Sequence, residues 1–320
     1  MSIGEFELIR RFFTRPPRRF DVVQSVGDDC AMLRPQTGKC LAITMDTLVE
    51  GVHFMAGTNP ENLGHKALAV SLSDLAAMGA TPAWVTLALT LPDPDEHWLN
   101  DFSKGFATLA DQFGVELVGG DTTRGPLSIT VHAIGFVGEE GALRRSAARW
   151  GDGIYLTGEL GLAGLGLEIL LGKSTQNVPE AVAKLERPQP RVNAGISLAG
   201  LANACIDISD GLAADLGHIL HASGVGATLD WTALPLPSPV RQYIDLGGDR
   251  WMPLRAGDDY EICFTVAAER EIELVSKMGE FGCSCVRIGH IDQQMGLRLR
   301  QGGMVIDLAE IGYQHFPVMT

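Results

Sequence analysis

The sequence predicts an α/β (α+β) protein with two domains. Three observations lead to this prediction. The 320 residues suffice for two cores of ordinary size, apolar runs with strand-like alternation recur between helical patterns, and a polar break lies near mid-chain. The break, GEEGALRRSAARWGD at residues 138–152, is poor in β-branched residues. We therefore assign residues 1–138 to the first domain and residues 149–320 to the second.

The first domain contains four β-rich runs and two long helical patterns. The runs are KCLAITMD (39–46), AWVTLALTL (83–91), VELVGG (115–120) and LSITVHAIGFV (127–137). The helical patterns are PENLGHKALAVSLSDLAAMGA (60–80) and DEHWLNDFSKGFATLADQFG (95–114). The strands alternate only in part, which predicts mixed or antiparallel sheets covered by helices.

The second domain repeats this mixture. Strands are predicted at GIYLTG (153–158), ACIDIS (204–209) and YEICFTV (260–266). Helices are predicted around 161–172 and 192–203, and at GLAADLGHILHASG (211–224) and AEREIELVSKMGEFG (268–282).

The charge balance limits the class of partner. A formal charge of −14 argues against nucleic-acid binding, which depends on Lys and Arg at phosphates. A phosphate ligand would need a cation between itself and so acidic a chain. No apolar window reaches the length of a membrane span, and MSIGEFELIRRFF has acids where a signal peptide needs an apolar stretch. We expect a cytoplasmic protein that does not bind membranes.

Acidic residues recur where a strand or helix is predicted to give way to a turn. They are Asp28, Asp29, Asp46, Asp121, Asp207 and Asp210. Asp74 instead lies inside a helical pattern, on the same face as Ser71, and is expected to point inward. Sites on α/β scaffolds are commonly built at strand ends.

Clustered carboxylates can share protons or hold a cation, and an all-oxygen cluster suits Mg²⁺, Mn²⁺ or Ca²⁺. Each Gly-Asp pair can equally be a simple turn. Asp210 can equally be an N-cap of the helix that follows it. Arg145 is a candidate phosphate clamp, whereas Arg144 and Arg149 are read as solvated charges. His53 can donate to a phosphate or a ring, or be a structural histidine beside Phe54.

Seven segments together resemble the thiamine-monophosphate kinase family, in its order and spacing. They are GDDCAML, MDTLVEGVHF, KALAVSLSDLAAMGATPAWVTLALTLP, LVGGDTTRGP, RSAARWGD, IDISDGLAADLGH and GDDYEICF. The resemblance extends from GEFELI to the terminal GYQHF. The resemblance to this family is closer than the resemblance to aminoimidazole ribonucleotide synthetase, selenophosphate synthetase or the hydrogenase-maturation dehydratase.

This resemblance implies the two-domain aminoimidazole ribonucleotide synthetase-like fold and a homodimer that pairs its N-terminal sheets. It implies ATP-dependent phosphorylation of thiamine monophosphate to thiamine diphosphate, with Mg²⁺ and with ATP as co-substrate. By position, the implied metal ligands are Asp29, Thr44, the carbonyl of Met45, Asp46, Asp74, Asp121, Asp207 and Asp210. The implied ATP contacts are Gly120, Asp121, Arg145 and Ser209, and the implied substrate contacts are His53, Asp258 and Tyr313. Among these residues Asp46, Asp121, Arg145 and Asp210 are the catalytic candidates.

Two positions depart from the family pattern. The family usually has Glu where this chain has Asp258, and a hydroxyl residue where it has Met45. For the mechanism we expect direct in-line transfer assisted by Mg²⁺, because an ionised acceptor phosphate needs no strong base. Two other readings remain open here: a related ATP-dependent synthetase with another small phosphorylated substrate, and a non-catalytic protein whose acids bind divalent cations.

Overall fold

A computed structural model describes residues 4–309 and 312–315. These residues form two compact units. Unit 1 extends to Glu139 except for Ala76–Gly79, which belongs with the chain from Glu140 onward to unit 2. The outer limits of the predicted domains, residues 1 and 320, lie outside the described residues.

Unit 1 contains strands and helices at the predicted places, with additional short elements near its start. In chain order they are α1 (Glu5–Leu8), a π-helix (Ile9–Phe13), β1 (Val22–Gln24), β2 (Met32–Leu33), β3 (Cys40–Val49), α2 (Pro60–Ala77), β4 (Thr81–Leu91), α3 (Glu96–Phe113), β5 (Glu116–Arg124) and β6 (Ser128–Val137).

The main sheet of unit 1, within the described residues, has four strands in the order β3-β6-β4-β5. The β4–β5 pair is parallel and the other two pairs are antiparallel. Burial alternates along β6, as it does when one face of a sheet packs against a core and the other does not. The prediction of mixed sheets is confirmed.

Helices α2 and α3 touch through a reciprocal pair of glycines. A Cβ atom at Gly64 would lie 2.0 Å from the carbonyl oxygen of Phe102, and one at Gly105 would lie 1.9 Å from that of Glu61. No side chain fits at such distances, so the two backbones are in direct contact at this crossing. Asp95 caps α3 by accepting from the N–H of His97 at 2.8 Å.

Unit 2 contains more elements than the sequence patterns indicated. In chain order they are β7 (Gly153–Thr157), α4 (Leu162–Leu170), α5 (Pro179–Glu186), α6 (Val192–Leu198), β8 (Ala204–Asp207), α7 (Leu212–Ser223), β9 (Gly226–Asp230), a 3₁₀ turn (Trp231–Ala233), α8 (Ser238–Asp245), α9 (Met252–Arg255), β10 (Ile262–Val266), a 3₁₀ turn (Ala268–Arg270), α10 (Glu271–Glu280), β11 (Cys285–Asp292), β12 (Gly296–Gln301) and β13 (Met304–Asp307).

The sheet of unit 2, in the described part of the chain, has seven strands in the order β13-β12-β9-β11-β7-β10-β8. Only the β9–β12 pair in this order is parallel. Strands β7, β8 and β10 are buried along their whole length, since the core of unit 2 packs around them. Among the described residues, no helix is long and apolar enough to span a bilayer.

The glycine contact gives a prediction about stability. Gly105→Ala should lower the free energy of unfolding by about 2 kcal/mol, because the new methyl group must push apart two helix backbones. The measurement is chemical denaturation of each variant followed by circular dichroism.

Gly279→Ala in α10 is the matched control, since nothing lies within 4 Å of a Cβ atom at that helical position. It should raise the free energy of unfolding by about 0.5 kcal/mol through helix propensity. Equal effects of the two variants would contradict the proposed contact.

Candidate functional site

Four oxygen-bearing side chains of unit 1 meet between β3 and α2. Ser71 Oγ donates to Asp46 Oδ2 at 2.7 Å, and Thr44 Oγ1 donates to Asp74 Oδ2. Thr44 and Asp46 are two apart on a strand, and Ser71 and Asp74 are three apart on a helix. Each pair therefore projects from one face of its element. The inward orientation expected for Asp74 agrees with its bond to β3.

Burial raises the pKa of Asp46 to about 6, and the nearby charge of Asp74 adds to this shift. The two carboxylates thus repel each other in a place where water screens them poorly. The donors are all oxygen, with two acids and two hydroxyls, a set that suits Mg²⁺. The residues present fit a divalent cation that would neutralise this repulsion.

The prediction that Asp46 and Asp121 end their strands is wrong. Strand β3 continues to Val49 and β5 to Arg124, because the Thr, Leu and Val residues after these acids continue the ladder. Both acids therefore project from the body of the sheet, where the pleat decides which face each side chain reaches.

Asp46 and Asp121 project from opposite faces of their sheet. Asp46 is in register with Val131, Val131 with Leu87, and Leu87 with Gly120. Residues paired directly across strands share a face, and the next residue on a strand takes the other. Asp121 follows Gly120, so the structure does not bring it to the Asp46 side of the sheet.

Gly120 lies where no larger residue fits. A Cβ atom there would be 1.9 Å from the carbonyl oxygen of Leu87. Gly120 and Asp121 line a small cavity of about 40 Å³ together with Ile9 and Phe13.

The remaining predicted site residues of unit 1 are not part of the cluster that contains Asp46 and Asp74. Asp28 and Asp29 are exposed in the turn after β1, where Asp28 Oδ1 accepts from the N–H of Asp29 at 2.8 Å. The side chain of Met45 is 67% exposed on the opposite face of β3 from Asp46, so it cannot act as a ligand on the Asp46 side. His53 Nδ1 accepts from the N–H of Val49 at 3.0 Å, which places the proton of the neutral ring on Nε2.

In unit 2 the chain turns sharply between β8 and α7. Asp207 ends β8, and Ser209, Asp210 and Gly211 lead into the helix. The Asp215 carboxylate in the first turn of α7 accepts from the N–H groups of Ser209, Asp210 and Gly211 at 3.0, 3.0 and 3.1 Å. Burial, followed by the charge of Asp207, raises the pKa of Asp215 to about 8.

The alternative reading of Asp210 as an N-cap is wrong. The N-cap position of α7 is Gly211, and no side chain forms a cap bond there. The Asp215 carboxylate accepts from N–H groups of the loop before the helix, and the Asp210 side chain is not used as a cap.

Several predicted residues come together around Asp210. The N–H of Asp258 donates to the carbonyl of Ser209 and that of Tyr313 to the carbonyl of Asp210, each at 3.0 Å. Burial raises the pKa of Asp210, with Asp258 adding to the shift and His218, His315 and Arg145 opposing it. The structure therefore gathers Ser209, Asp210, Asp258, Arg145 and Tyr313 in one part of unit 2.

The Gly257–Glu261 turn has an unusual backbone. Asp258 and Tyr260 have φ of 65° and 48°, the left-handed region that few non-glycine residues adopt. A Cβ atom at Gly257 would lie 2.0 Å from the carbonyl oxygen of Ser209, so this turn packs directly on the Ser209 loop. Asp is among the residues that tolerate left-handed φ best, which suits it to position 258.

Two buried acids anchor this turn. Asp259 accepts from the N–H of Gly161 at 2.9 Å at the start of α4, and burial raises its pKa to about 7. Glu261 accepts from Thr157 Oγ1 and Lys184 Nζ at 2.8 Å, and from Nε and Nη2 of Arg191 at 2.6 Å. A carboxylate with this many donors is held rigidly.

Sequence reasoning did not single out Asp215, Asp259 or Glu261 as separate structural acids. The signal for Asp215 was an acid in the first helical turn after DISDG. Across the described ranges 4–309 and 312–315, no three His, Cys, Asp or Glu side chains are grouped closely enough to hold a metal ion. The remaining predicted ligands thus stay predictions.

Comparison with known proteins places both units in one family. The model of AIR synthase related protein, N-terminal domain, matches residues 27–137, and that of its C-terminal domain matches residues 149–301. The chain is 44% identical over 322 residues to the thiamine-monophosphate kinase of Salmonella typhimurium, covering 99% of each chain.

Two solved structures are similar over most of their length. The thiamine-monophosphate kinase of Stenotrophomonas maltophilia K279a has a TM-score of 0.85 and 44% identity, covering 93% of this chain and 97% of that one. The protein AaThiL, complexed with AMPPCP and TMP, has a TM-score of 0.78 and 30% identity, covering 88% of this chain and 89% of that one.

The Asp46–Asp74 repulsion gives a prediction for the metal-free protein. Because the pKa of Asp46 in the folded state is raised to about 6, ionisation of Asp46 lowers the free energy of unfolding. This destabilisation is absent below pH 3.8 and fully present above pH 6. At pH 8 in EDTA, Asp46→Asn should therefore stabilise the protein by about 1–3 kcal/mol. Adding Mg²⁺ should raise the Tm of the wild type more than that of the variant.

Asp101→Asn is the control, because it removes an equal charge from an exposed position on α3. It should change Tm little in either buffer. A lower Tm for Asp46→Asn in EDTA would contradict the repulsion.

Proposed function

The chain belongs to the thiamine-monophosphate kinase family of AIR synthase-related proteins, and we propose that it catalyses the ATP-dependent phosphorylation of thiamine monophosphate to thiamine diphosphate. The observation that carries this function is 44% identity over 99% of both chains. The AaThiL complex supports both substrates, because AMPPCP is an analogue of ATP.

We assign Mg²⁺ binding to oxygen donors in each unit. The assigned ligands are Asp29, Thr44, the carbonyl of Met45, Asp46, Asp74, Asp121, Asp207 and Asp210. The Asp46–Asp74 pair offers the clearest support, since two acids and two hydroxyls already face one another there. When bound, Mg²⁺ would neutralise phosphate charge and orient the reacting groups.

The assigned ATP contacts are Gly120, Asp121, Arg145 and Ser209. Gly120 is exposed and lines the small cavity beside Asp121, which supports a backbone contact with the nucleotide there. Arg145 is exposed, and its positive charge opposes the rise in the pKa of Asp210, which supports a role for its guanidinium in binding phosphate oxygens near the Ser209 loop.

The assigned thiamine monophosphate contacts are His53, Asp258 and Tyr313. His53 is fixed by its Nδ1 bond to the Val49 N–H, so the proton on Nε2 defines its donor direction. Asp258 is held by its backbone bond to Ser209 and Tyr313 by its bond to Asp210. The last two contacts are therefore coupled to the assigned nucleotide residues.

Phosphoryl transfer here joins two anions, so the protein must reduce their repulsion and align them in line. The acceptor phosphate is already ionised near neutral pH and needs no strong general base. Asp46, Asp121 and Asp210 would hold cations, with Asp121 on the other face of the sheet from Asp46, and Arg145 would stabilise charge on the transferring phosphoryl group. The transfer is direct, without a phosphoenzyme.

The homodimer is proposed to form through residues 1–138. Strand β3 is an edge of its sheet, and Leu41, Ile43 and Met45 on one face of it are 42%, 59% and 67% exposed. An apolar row on an unpaired edge is expected to be covered by a partner. We further propose a cytoplasmic location, where the ATP that it consumes is available.

The proposed function predicts that ADP forms with thiamine monophosphate and Mg²⁺, but not with unphosphorylated thiamine or in EDTA. Arg145→Ala should lower kcat/KM by about 100-fold, because an arginine on the transferring phosphate typically contributes at least this much. A coupled ADP assay measures both quantities.

Arg149→Ala is the matched control, since Arg149 is also exposed and four residues away. It should keep wild-type kinetics. Equal rates with thiamine and its monophosphate would contradict the assigned acceptor, and normal activity of Arg145→Ala would remove Arg145 from the site.

The dimer predicts that Ile43→Asp shifts the protein toward monomers in analytical ultracentrifugation. Desolvating a charge in an apolar interface is costly, so the dissociation constant of the dimer should rise by at least about 10-fold. Ile272→Asp is the control, because Ile272 is 87% exposed on α10 of unit 2. A dimer equally stable in both variants would place the interface elsewhere.

A further inference from the structure

We propose that Asp215 is a positioning residue for phosphoryl transfer, which shapes the loop that carries Ser209 and Asp210. This inference rests on the proposed function, since it assigns Asp215 a part in presenting two residues of that site. Asp215 contacts neither the nucleotide nor the cation in this proposal, and it acts through the backbone of the loop.

The geometry is that of an anion-binding loop occupied by the protein's own side chain. Three consecutive N–H groups, those of Ser209, Asp210 and Gly211, converge on the single oxygen Oδ2 of Asp215. Consecutive N–H groups that point inward are a common way to bind an anion. Asp215 is only 2% exposed, so bulk water does not compete with its carboxylate for these N–H groups.

The carbonyls of the same stretch are bonded as well. Ile208 O accepts from the N–H of Tyr260 at 2.8 Å, and the carbonyls of Ser209 and Asp210 accept from Asp258 and Tyr313 at 3.0 Å. The loop is thus fixed through its N–H groups on one side and its carbonyls on the other. Its backbone is fully engaged in these bonds.

This arrangement links Asp215 to both sets of assigned contacts. Ser209 and Asp210 belong to the nucleotide and cation set, and Asp258 and Tyr313 belong to the substrate set. Without an acceptor inside the loop, three N–H groups would lose their partner, that of Gly211 in a buried position, and the loop would rearrange to pair them again. The four assigned residues would then shift together.

An acceptor role and a direct ligand role make different demands on residue 215. Accepting three N–H bonds requires an oxygen, which an amide also provides. A carboxylate that bound the cation directly would contribute chiefly through its negative charge, which an amide lacks. Asp215→Asn separates the two roles, and Asp215→Ala removes both.

The experiment measures the affinity of each variant for AMPPCP with Mg²⁺ by calorimetry, the Mg²⁺ concentration for half-maximal activity, and Tm. For Asp215→Asn, the AMPPCP affinity and the half-saturating Mg²⁺ concentration should each stay within threefold of the wild-type value. Asp215→Ala should weaken AMPPCP binding and raise the half-saturating Mg²⁺ concentration by at least 10-fold each.

Asp230→Ala is the matched structural control, because Asp230 accepts from the N–H of Thr232 at 2.9 Å in the same unit. It should lower Tm without changing nucleotide or Mg²⁺ affinity. If Asp215→Ala does not fold, the Asn variant still decides, since a 10-fold loss of Mg²⁺ affinity there would make Asp215 a ligand and overturn the proposal. Wild-type affinities in Asp215→Ala would overturn it too.

A failure of the proposed function can be distinguished from a failure of the Asp215 proposal. A wild-type protein that binds AMPPCP with Mg²⁺ but does not phosphorylate thiamine monophosphate refutes that function alone, and the binding data still test Asp215. A wild-type protein that binds no AMPPCP overturns both.

Discussion

Mutual repulsion between carboxylates is the constraint that the surrounding structure must meet. Asp46 and Asp74 stay near each other because a strand and a helix hold them, each with a hydroxyl donor beside it. Asp210 lies near Asp258 because their backbones are joined through Ser209. In both places the like charges are kept together by hydrogen bonds from uncharged donors and by rigid secondary structure.

The Gly257–Glu261 turn shows how such rigidity is obtained. Its residues alternate between two roles: Asp259 and Glu261 are buried anchors, whereas Asp258 and Tyr260 take left-handed backbone angles. Left-handed angles at such residues cost energy, and they persist only where neighbouring bonds fix the chain. The ion pair of Glu261 with Arg191 therefore serves to orient the turn as well as to satisfy a buried charge.

The main strands and helices, and the inward face of Asp74, were predictable because apolar periodicity depends only on local spacing. The faces of the sheet from which Asp46 and Asp121 project were not predictable from the sequence. Both lie within strands that run several residues further than their motifs, and the pairing of β4 with β5 shifts register between Val85 and Thr86. The bonding of Asp215 was also hidden, since three N–H groups converge on it only after the chain has turned between β8 and α7. Strands β9, β12 and β13 were missed because each has only four to six residues, although Leu297–Arg300 in β12 alternates apolar and charged side chains.

The glycine contact between α2 and α3 also bears on how the protein can move. Backbones that touch at Gly64 and Gly105 interlock, so α2 cannot slide along its axis past α3. Ser71 and Asp74 belong to α2, and any adjustment of their distance to β3 must carry both helices as a single body. A change in the spacing between α2 and β3 is thereby expected to be a small tilt of that helical pair against the sheet.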